Sequence, residues 1–383
     1  MKITQISTYP VDFPQEPAWA YSKGWVTSAP ALLIEINTDE GVSGLGEAYG
    51  PPRAVEALIR DFCEPSVIGT DPFQTEELWG RLVHDARDFG TPGPAMAAIS
   101  AIDIACWDIK GKALGVPVCT LLGGAVQSEL NCYASGLRYL RDADGADGFA
   151  DPVPMAERFV EEGFGSIKMS VGLLDLRDDL GRVRRVKESL PPGVALMVDA
   201  NHAYTSRVAK EFGAAMEDLG IAWFEDALPP DDLPGYESLR EAVGLPLAGG
   251  ESLLGRAGFR DFLTRRVFDV AIPETGLAGG LTECKKIADL AWTFGVECTP
   301  HGYASVVGTA AAIHLAASLP PQPPSGSAKP LPFEWAPEPF SRLGGLAADG
   351  FDFDHGKIRV PLHRPGLGVE LDRAALKKRL MTA

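Results

Sequence analysis

Ala195-Leu196-Met197-Val198-Asp199, Ile221-Ala222-Trp223-Phe224-Glu225 and Pro246-Leu247-Ala248-Gly249-Gly250-Glu251 are short apolar runs that each end in an acid, and the acids fall 26 residues apart both times. Between them lie segments with helical patterns, such as 207–219 and 236–243. Strand-length apolar runs alternating with helices predict βα units and a parallel sheet. Parallel strands bring their C-terminal ends to one face, so the three carboxylates converge there. Buried like charges need a cation among them. A ligand set of oxygens, without Cys or His, suits Mg²⁺ better than zinc. The alternative is that each acid caps the helix after its strand. Three acids in register at a barrel mouth favour the metal.

The composition limits the partners. Residues number 383, enough for one large domain or two. A net charge of −17 argues against nucleic acid or an anionic membrane. It also requires local cations wherever an anionic small substrate binds, and a divalent ion would supply that charge. The chain opens into a strand pattern without a signal-peptide-like stretch, and no apolar run approaches a membrane span. Six scattered cysteines, with no Cys-x-x-Cys pair, read as buried thiols of a reducing compartment. The cytoplasm is therefore expected.

Strand patterns at Ile3–Val11 and 31–37, then 41–48 as a turn entering a further strand, predict a meander. The segment 14–30, rich in Pro, Ser and aromatics, reads as a long lid loop with Tyr21 and Trp25 at its centre. Helical patterns follow at 54–63, 72–88 and Pro94–Leu114, the last stopped by Gly115 and Pro117. Eight strand candidates then begin near residues 130, 166, 195, 221, 245, 267, 296 and 330. The expected architecture is a (β/α)7β TIM-type barrel (126–340) with an α+β cap. The cap comprises residues 1–125 and a C-terminal segment, 341–383, that returns to it. A Pro-rich break at 319–329 precedes the eighth strand, and the acidic run 142–148 resembles a calcium loop only in part and reads as a solvated loop. Gly44-Leu45-Gly46 lacks the third glycine of a dinucleotide fingerprint.

Further ionisable residues close other strands. Lys168 and Ser170 stand at the second, Glu274 at the sixth, His301 at the seventh and Glu334 just after the eighth. Glu274 and His301 lie one βα unit apart, and a carboxylate beside a His fixes its tautomer and raises its basicity. Glu334 either donates a hydrogen bond in a protonated form or faces solvent. Asn201, Glu334, Tyr21 and Trp25 are the candidate substrate contacts, and Arg138 and Tyr139 after the first strand also bear on substrate choice. His202 reads as structural or as support behind the metal. Three acids on a divalent ion, with a base facing the carbon next to a coordinated carboxylate, suit removal of an α-proton to give an enediolate.

The chain resembles the mandelate racemase subgroup of the enolase superfamily. The resemblance rests on residues 100–117, 163–172 around Lys168, Val198-Asp199-Ala200-Asn201, Trp223-Phe224-Glu225, Gly249-Gly250-Glu251, 277–283 and Pro300-His301. It implies Mg²⁺ on Asp199, Glu225 and Glu251, a His301–Glu274 dyad, a small carboxylate substrate and a homo-oligomer. Glu274 stands where the family more often has Asp. Lys168-Met169-Ser170 departs from the usual Lys-x-Lys, so Ser170 replaces the second base. One strong base suits an elimination: a sugar-acid dehydratase, or a cycloisomerase when the leaving oxygen belongs to a ring. Residues 199–204 and 366–370 also resemble the galactarolactone cycloisomerase branch. A racemase using Lys168 as partner base, and a metal-binding relative without catalysis, are the alternatives.

Overall fold

The computed structural model describes residues 1–88, 90, 93–142, 148–321 and 330–382. Five strands come first: β1 (Ile3–Val11), β2 (Pro14–Tyr21), β3 (Gly24–Ser28), β4 (Ala31–Thr38) and β5 (Ser43–Ala48). β1, β4 and β5 form the expected antiparallel meander. Helix Pro94–Leu114 packs across it and is buried almost all round, which explains why its apolar residues do not fall on one stripe. The two glycines of Gly44-Leu45-Gly46 make this contact possible. A Cβ on Gly44 would lie 2.2 Å from the Ala105 carbonyl oxygen, and one on Gly46 would lie 2.0 Å from that of Ala101. Residues two apart on a strand meet residues four apart on a helix, so backbone touches backbone along one seam. Gly46→Ala should therefore cost about 1–3 kcal/mol or more in a denaturant titration. An unchanged midpoint would show that the seam can yield.

The segment 14–30 differs from its sequence reading. It is a hairpin, not an irregular loop: β2 pairs with β3, Trp19 opposite Val26 and Ala20 opposite Trp25. The Pro residues hid an alternation that runs through Trp19-Ala20-Tyr21 with period two; Pro14 opens the strand and Pro17 falls in the irregular stretch between Pro14 and Trp19, both places where a strand tolerates proline.

The remaining strands are β6 (Glu129–Leu137), β7 (Tyr139–Leu140), β8 (Ser166–Ser170), β9 (Ala195–Asp199), β10 (Phe224–Glu225), β11 (Leu247–Gly249), β12 (Val270–Ala271), β13 (Glu297–Cys298), β14 (Phe333–Trp335), β15 (Phe353–Asp354) and β16 (Lys357–Arg359). β6 and β8 through β13 pair in parallel in chain order, and β14 returns to pair in parallel with β6. Between β13 and β14 the link is made by side chains: the Thr299 hydroxyl donates to the Pro332 carbonyl at 3.3 Å and the Gly302 N–H to the Glu334 carboxylate at 3.0 Å. A helix stands between successive members of this ring, from Val153–Glu161 to Val306–Ser318, giving the (β/α)7β order.

Alternation along the strands splits the core in two. Leu196, Val198, Phe224, Leu247 and Ala271 face the helices, while Tyr133, Met197, Trp223, Ala248 and Val270 fill the barrel interior. Residues that continue the interior row toward the C-terminal ends therefore point into the mouth. β7 pairs with β2, so the hairpin is tied to the end of the first barrel strand. The C-terminal segment touches both regions. β16 pairs antiparallel with β6, Pro117 bridges Gly366, and Val11 bridges Leu380. No helix among the described residues is long and apolar enough to cross a membrane. The acidic run, from 143 to 147, and the Pro-rich break, from 322 to 329, lie outside the described residues.

Candidate active site

Ser170, Asp199 and Glu225 occupy the same level of three adjacent parallel strands, Ser170 opposite Asp199 and Asp199 opposite Glu225. Lys168 lies two residues before Ser170 and so shares its inward face. Its ammonium meets three carboxylates: Glu225 in a short contact, Glu334 at 3.0 Å and Asp199 at 3.4 Å. Burial opposes that charge, but Glu225 and Glu334 outweigh it and hold the Lys168 pKa well above the ordinary value. Lys168 is a fixed cation.

None of the three spaced acids caps a helix. The following helices take Thr205, Asp232 and Leu254 as N-caps, so the acids are free for other work. Asp199 accepts from the Asn201 backbone N–H at 2.8 Å and from its side-chain amide at 3.1 Å. Glu225 accepts from the Trp223 indole at 3.0 Å. Glu251 lies 3.1 Å from His301 Nε2.

Asp226, next to Glu225, was not singled out from the sequence. Its Oδ1 accepts from the Gly250 N–H at 3.3 Å, while its buried Oδ2 has no hydrogen-bond partner. Asp226, His202 and Glu251 present ligand atoms all within 4.8 Å of one another. Asn201, His202 and Asp226 also hold φ values of 44°, 65° and 40°, a left-handed cluster beside the acids. Such strain at several neighbouring non-glycine residues gathers where geometry is set by function. The only signal in sequence was adjacency to Glu225, and a single acid in a loop carries no period.

These acids fit a cation. Burial first, then the neighbouring carboxylates, push the Asp226 carboxyl well above the ordinary range. Burial also raises Asp199 and Glu225, against the pull of Lys168. An orphaned buried oxygen among mutually repelling carboxylates is what a divalent ion would satisfy, and oxygen donors suit Mg²⁺. His202 offers Nδ1 to the Leu228 carbonyl at 3.0 Å and Nε2 to the Ser252 hydroxyl at 3.1 Å, so its ring is already engaged.

His301 Nδ1 is 2.5 Å from Glu274 Oε2, the pair expected from their one-unit spacing. Glu274 is itself oriented by the Gly276 N–H at 2.7 Å. Burial disfavours charge on His301, but Glu334, Glu251 and Glu274 prevail and push its pKa up to about 10. Glu334 corrects its sequence reading. It is buried rather than facing solvent, and Lys168 and His301 overcome its burial and hold its pKa below the ordinary range, so it is ionised and accepts hydrogen bonds.

These groups open into one cavity of about 280 Å³, near the lower end of small-ligand sites. Lys168, Ser170, Asp199, Asn201, Glu251, His301 and Glu334 line its floor, and Tyr21 its wall. Trp25 is absent from the lining. The hairpin register puts Trp25 on the face of Ala20, opposite Trp19, Tyr21 and Val26, which do line the cavity. Trp25 instead stacks on Phe149 with ring centroids 6.1 Å apart. The pair Trp19/Trp25 was indistinguishable without the strand register. Tyr49, from the end of β5, joins the wall and meets the His301 ring edge-on at 6.1 Å.

This arrangement has counterparts. Residues 4–123 match the mandelate racemase / muconate lactonizing enzyme N-terminal domain, and residues 153–375 match the enolase C-terminal domain-like family. D-galactarolactone cycloisomerase of Agrobacterium fabrum is 35% identical over 379 residues, 98% of each chain. The crystal structure of the 3,6-anhydro-D-galactonate cycloisomerase from Zobellia galactanivorans superposes with a TM-score of 0.86 at 32% identity, covering 100% of both chains. A racemase from Streptomyces coelicolor with bound magnesium superposes with a TM-score of 0.87 at 28% identity, over 99% of this chain and 100% of that one. With both halves matched and the ordered strand-end residues in place, the chain belongs to the mandelate racemase / muconate lactonizing enzyme family of the enolase superfamily.

Proposed function

We propose that this protein is a Mg²⁺-dependent enzyme that removes the proton α to the carboxylate of a sugar acid and expels the β-oxygen, the leaving oxygen belonging to a lactone or anhydro ring. One observation carries the reading: His301 faces the cavity with Glu274 behind it on Nδ1, and Ser170, which has no basicity of its own, lines the same floor. The two cycloisomerases among the relatives support the choice of a ring oxygen. Six cysteines without a disulfide support a cytoplasmic enzyme.

Asp199, Glu225 and Glu251, with Asp226 beside them, would hold the ion. A bound Mg²⁺ would supply positive charge next to the substrate carboxylate and offset the charge of Glu251. The chain's own groups do the rest. Glu274 accepts from Nδ1–H of His301, and with the charge of Glu251 beside Nε2 offset by a cation the ring can release its second proton, leaving Nε2 free to face substrate. The α C–H bond breaks toward Nε2, and its electron pair becomes the C=C bond as the β C–O bond opens. The ring oxygen leaves with the other pair. Lys168, held as a cation, stabilises the charge gathered on the carboxylate. The enol then takes a proton from solvent at the β-carbon, loses its hydroxyl proton and becomes the keto acid, while Nε2 returns its proton to solvent, so that the product is an isomer of the starting ring compound.

A panel of aldonates, aldarates and their lactones with Mg²⁺, followed by proton NMR in deuterated water, tests the reading. Ring opening with one solvent deuteron in the product is expected, and loss of water from an open-chain acid would instead establish a dehydratase. Inversion at the α-carbon without loss of the β-oxygen would instead establish a racemase. Ser170→Ala should lower kcat by less than about tenfold, below the 10²–10⁴-fold typical of a general base. A larger loss would place Ser170 in proton transfer.

A further inference from the structure

The three cations that line the cavity differ in what they already hold. Lys168 is surrounded by carboxylates. The Arg342 guanidinium is buried and donates to the Tyr303 and Pro30 carbonyls at 3.1 and 2.8 Å. Arg138 holds no anion. Among the described residues no carboxylate lies within ion-pair distance of its guanidinium, in a chain with 52 acidic residues against 35 basic ones. Its Nε is buried with no hydrogen-bond partner, as is that of Arg342, but Arg342 donates from both terminal nitrogens while no side-chain hydrogen bond of Arg138 is present among the described residues.

Aromatic rings keep it there. The guanidinium lies 3.8 Å from the Trp19 ring centroid and 4.6 Å from that of Tyr303. Stacking uses the faces of the guanidinium plane and leaves its N–H edges available. A planar fork held rigidly in a half-buried wall, with its edges unused, suits a carboxylate taken side-on. The position also separates it from the proton-transfer groups. Arg138 follows β6 and stacks on the hairpin, while His301 and the acids lie at the barrel mouth. Tyr21, on the same hairpin face as Trp19, lines the wall of the same cavity.

We infer that Arg138 is the recognition site for a second carboxyl group at the far end of the substrate. The preferred substrate class is therefore the aldarates and their monolactones, with an acid function at each end, rather than the aldonates. This inference rests on the proposed sugar-acid site and narrows it. It also gives Arg138 a role in ring opening. When a lactone oxygen leaves an aldarolactone, it departs as a carboxylate, and the guanidinium receives that charge. An anhydro-aldonate releases an alkoxide, for which a guanidinium fork has no matching pair of oxygens.

Galactarate and galactonate isolate the point, because they differ only in a terminal carboxylate against a terminal hydroxymethyl group. Calorimetric titration of the Mg²⁺-loaded protein should show galactarate bound about 10- to 100-fold more tightly, the range of a charge-assisted pair. Arg138→Met keeps most of the stem that covers Trp19 and should bring galactarate down to the level of galactonate. Arg138→Lys, with charge but no fork, should retain part of the preference. Equal binding of the two acids by the parent protein, or an undiminished preference in Arg138→Met, would overturn the inference. Because binding is read without turnover, failure of the elimination chemistry is seen separately: the diacid preference would persist while no acid on the panel reacts.

Discussion

His301→Asn is expected to abolish both turnover and exchange of the substrate α-proton with deuterated water, a loss of at least about 10²–10⁴-fold. The expectation follows from the charge state of the alternatives. Lys168 is the other amine-bearing side chain on the cavity floor, and Glu225 and Glu334 hold it as a cation with no lone pair to accept a proton. Ser170 has no basicity of its own. Glu274 lies behind the imidazole on Nδ1, engaged by the Gly276 N–H, rather than against substrate. Glu274→Gln should therefore leave measurable activity, since the imidazole remains although its tautomer is no longer fixed. Deuterium exchange in His301→Asn at close to the parent rate would make Lys168 the base, and the one-base elimination would have to be abandoned.

Asp199→Asn, Glu225→Gln and Glu251→Gln should each abolish activity and weaken Mg²⁺ binding by more than the 10–100-fold seen on losing a partner behind a ligand. Each removes a charged oxygen from a hard cation. Asp226→Asn is expected to weaken binding as well, because its unpartnered Oδ2 belongs to a carboxylate that clusters with Glu251. Calorimetric Mg²⁺ titration, with circular dichroism to show retained fold, reads the effect directly. Unchanged affinity in any two of the three spaced acids would sink their assignment. Their removal also tests Lys168, which loses a carboxylate partner in Asp199→Asn and Glu225→Gln but not in Glu251→Gln.

Much of this molecule is written in local pattern. The βα rhythm, the helix Pro94–Leu114 and the strands Ile3–Val11, Ser166–Ser170 and Ala195–Asp199 follow from apolar spacing and from Gly and Pro stops. Because parallel strands share one direction, that rhythm also fixed that Lys168, Asp199, Glu225, Glu274 and His301 would meet at one mouth. Spacing by one repeat then made neighbours of Glu274 and His301.

Other features have no local signal. Trp19 and Trp25 sit six residues apart in one segment, and only the pairing of β2 with β3 decides that Trp19 enters the cavity while Trp25 stacks outside on Phe149. Glu334 reads as either a protonated donor or an exposed acid until β14 folds back against β6 and buries it between Lys168 and His301. The glycines of Gly44-Leu45-Gly46 gain meaning only where a helix some sixty residues later lies against them. Asp226 Oδ2 and the Arg138 guanidinium acquire their character from what does not reach them, a hydrogen-bond donor in one case and a carboxylate in the other. Sequence thus determined which strand ends hold charge, because periodicity is a local property of the chain. Which of those charges are paired, and which side of a strand faces the cavity, depends on contacts between segments distant in sequence, and the tertiary structure alone decided it.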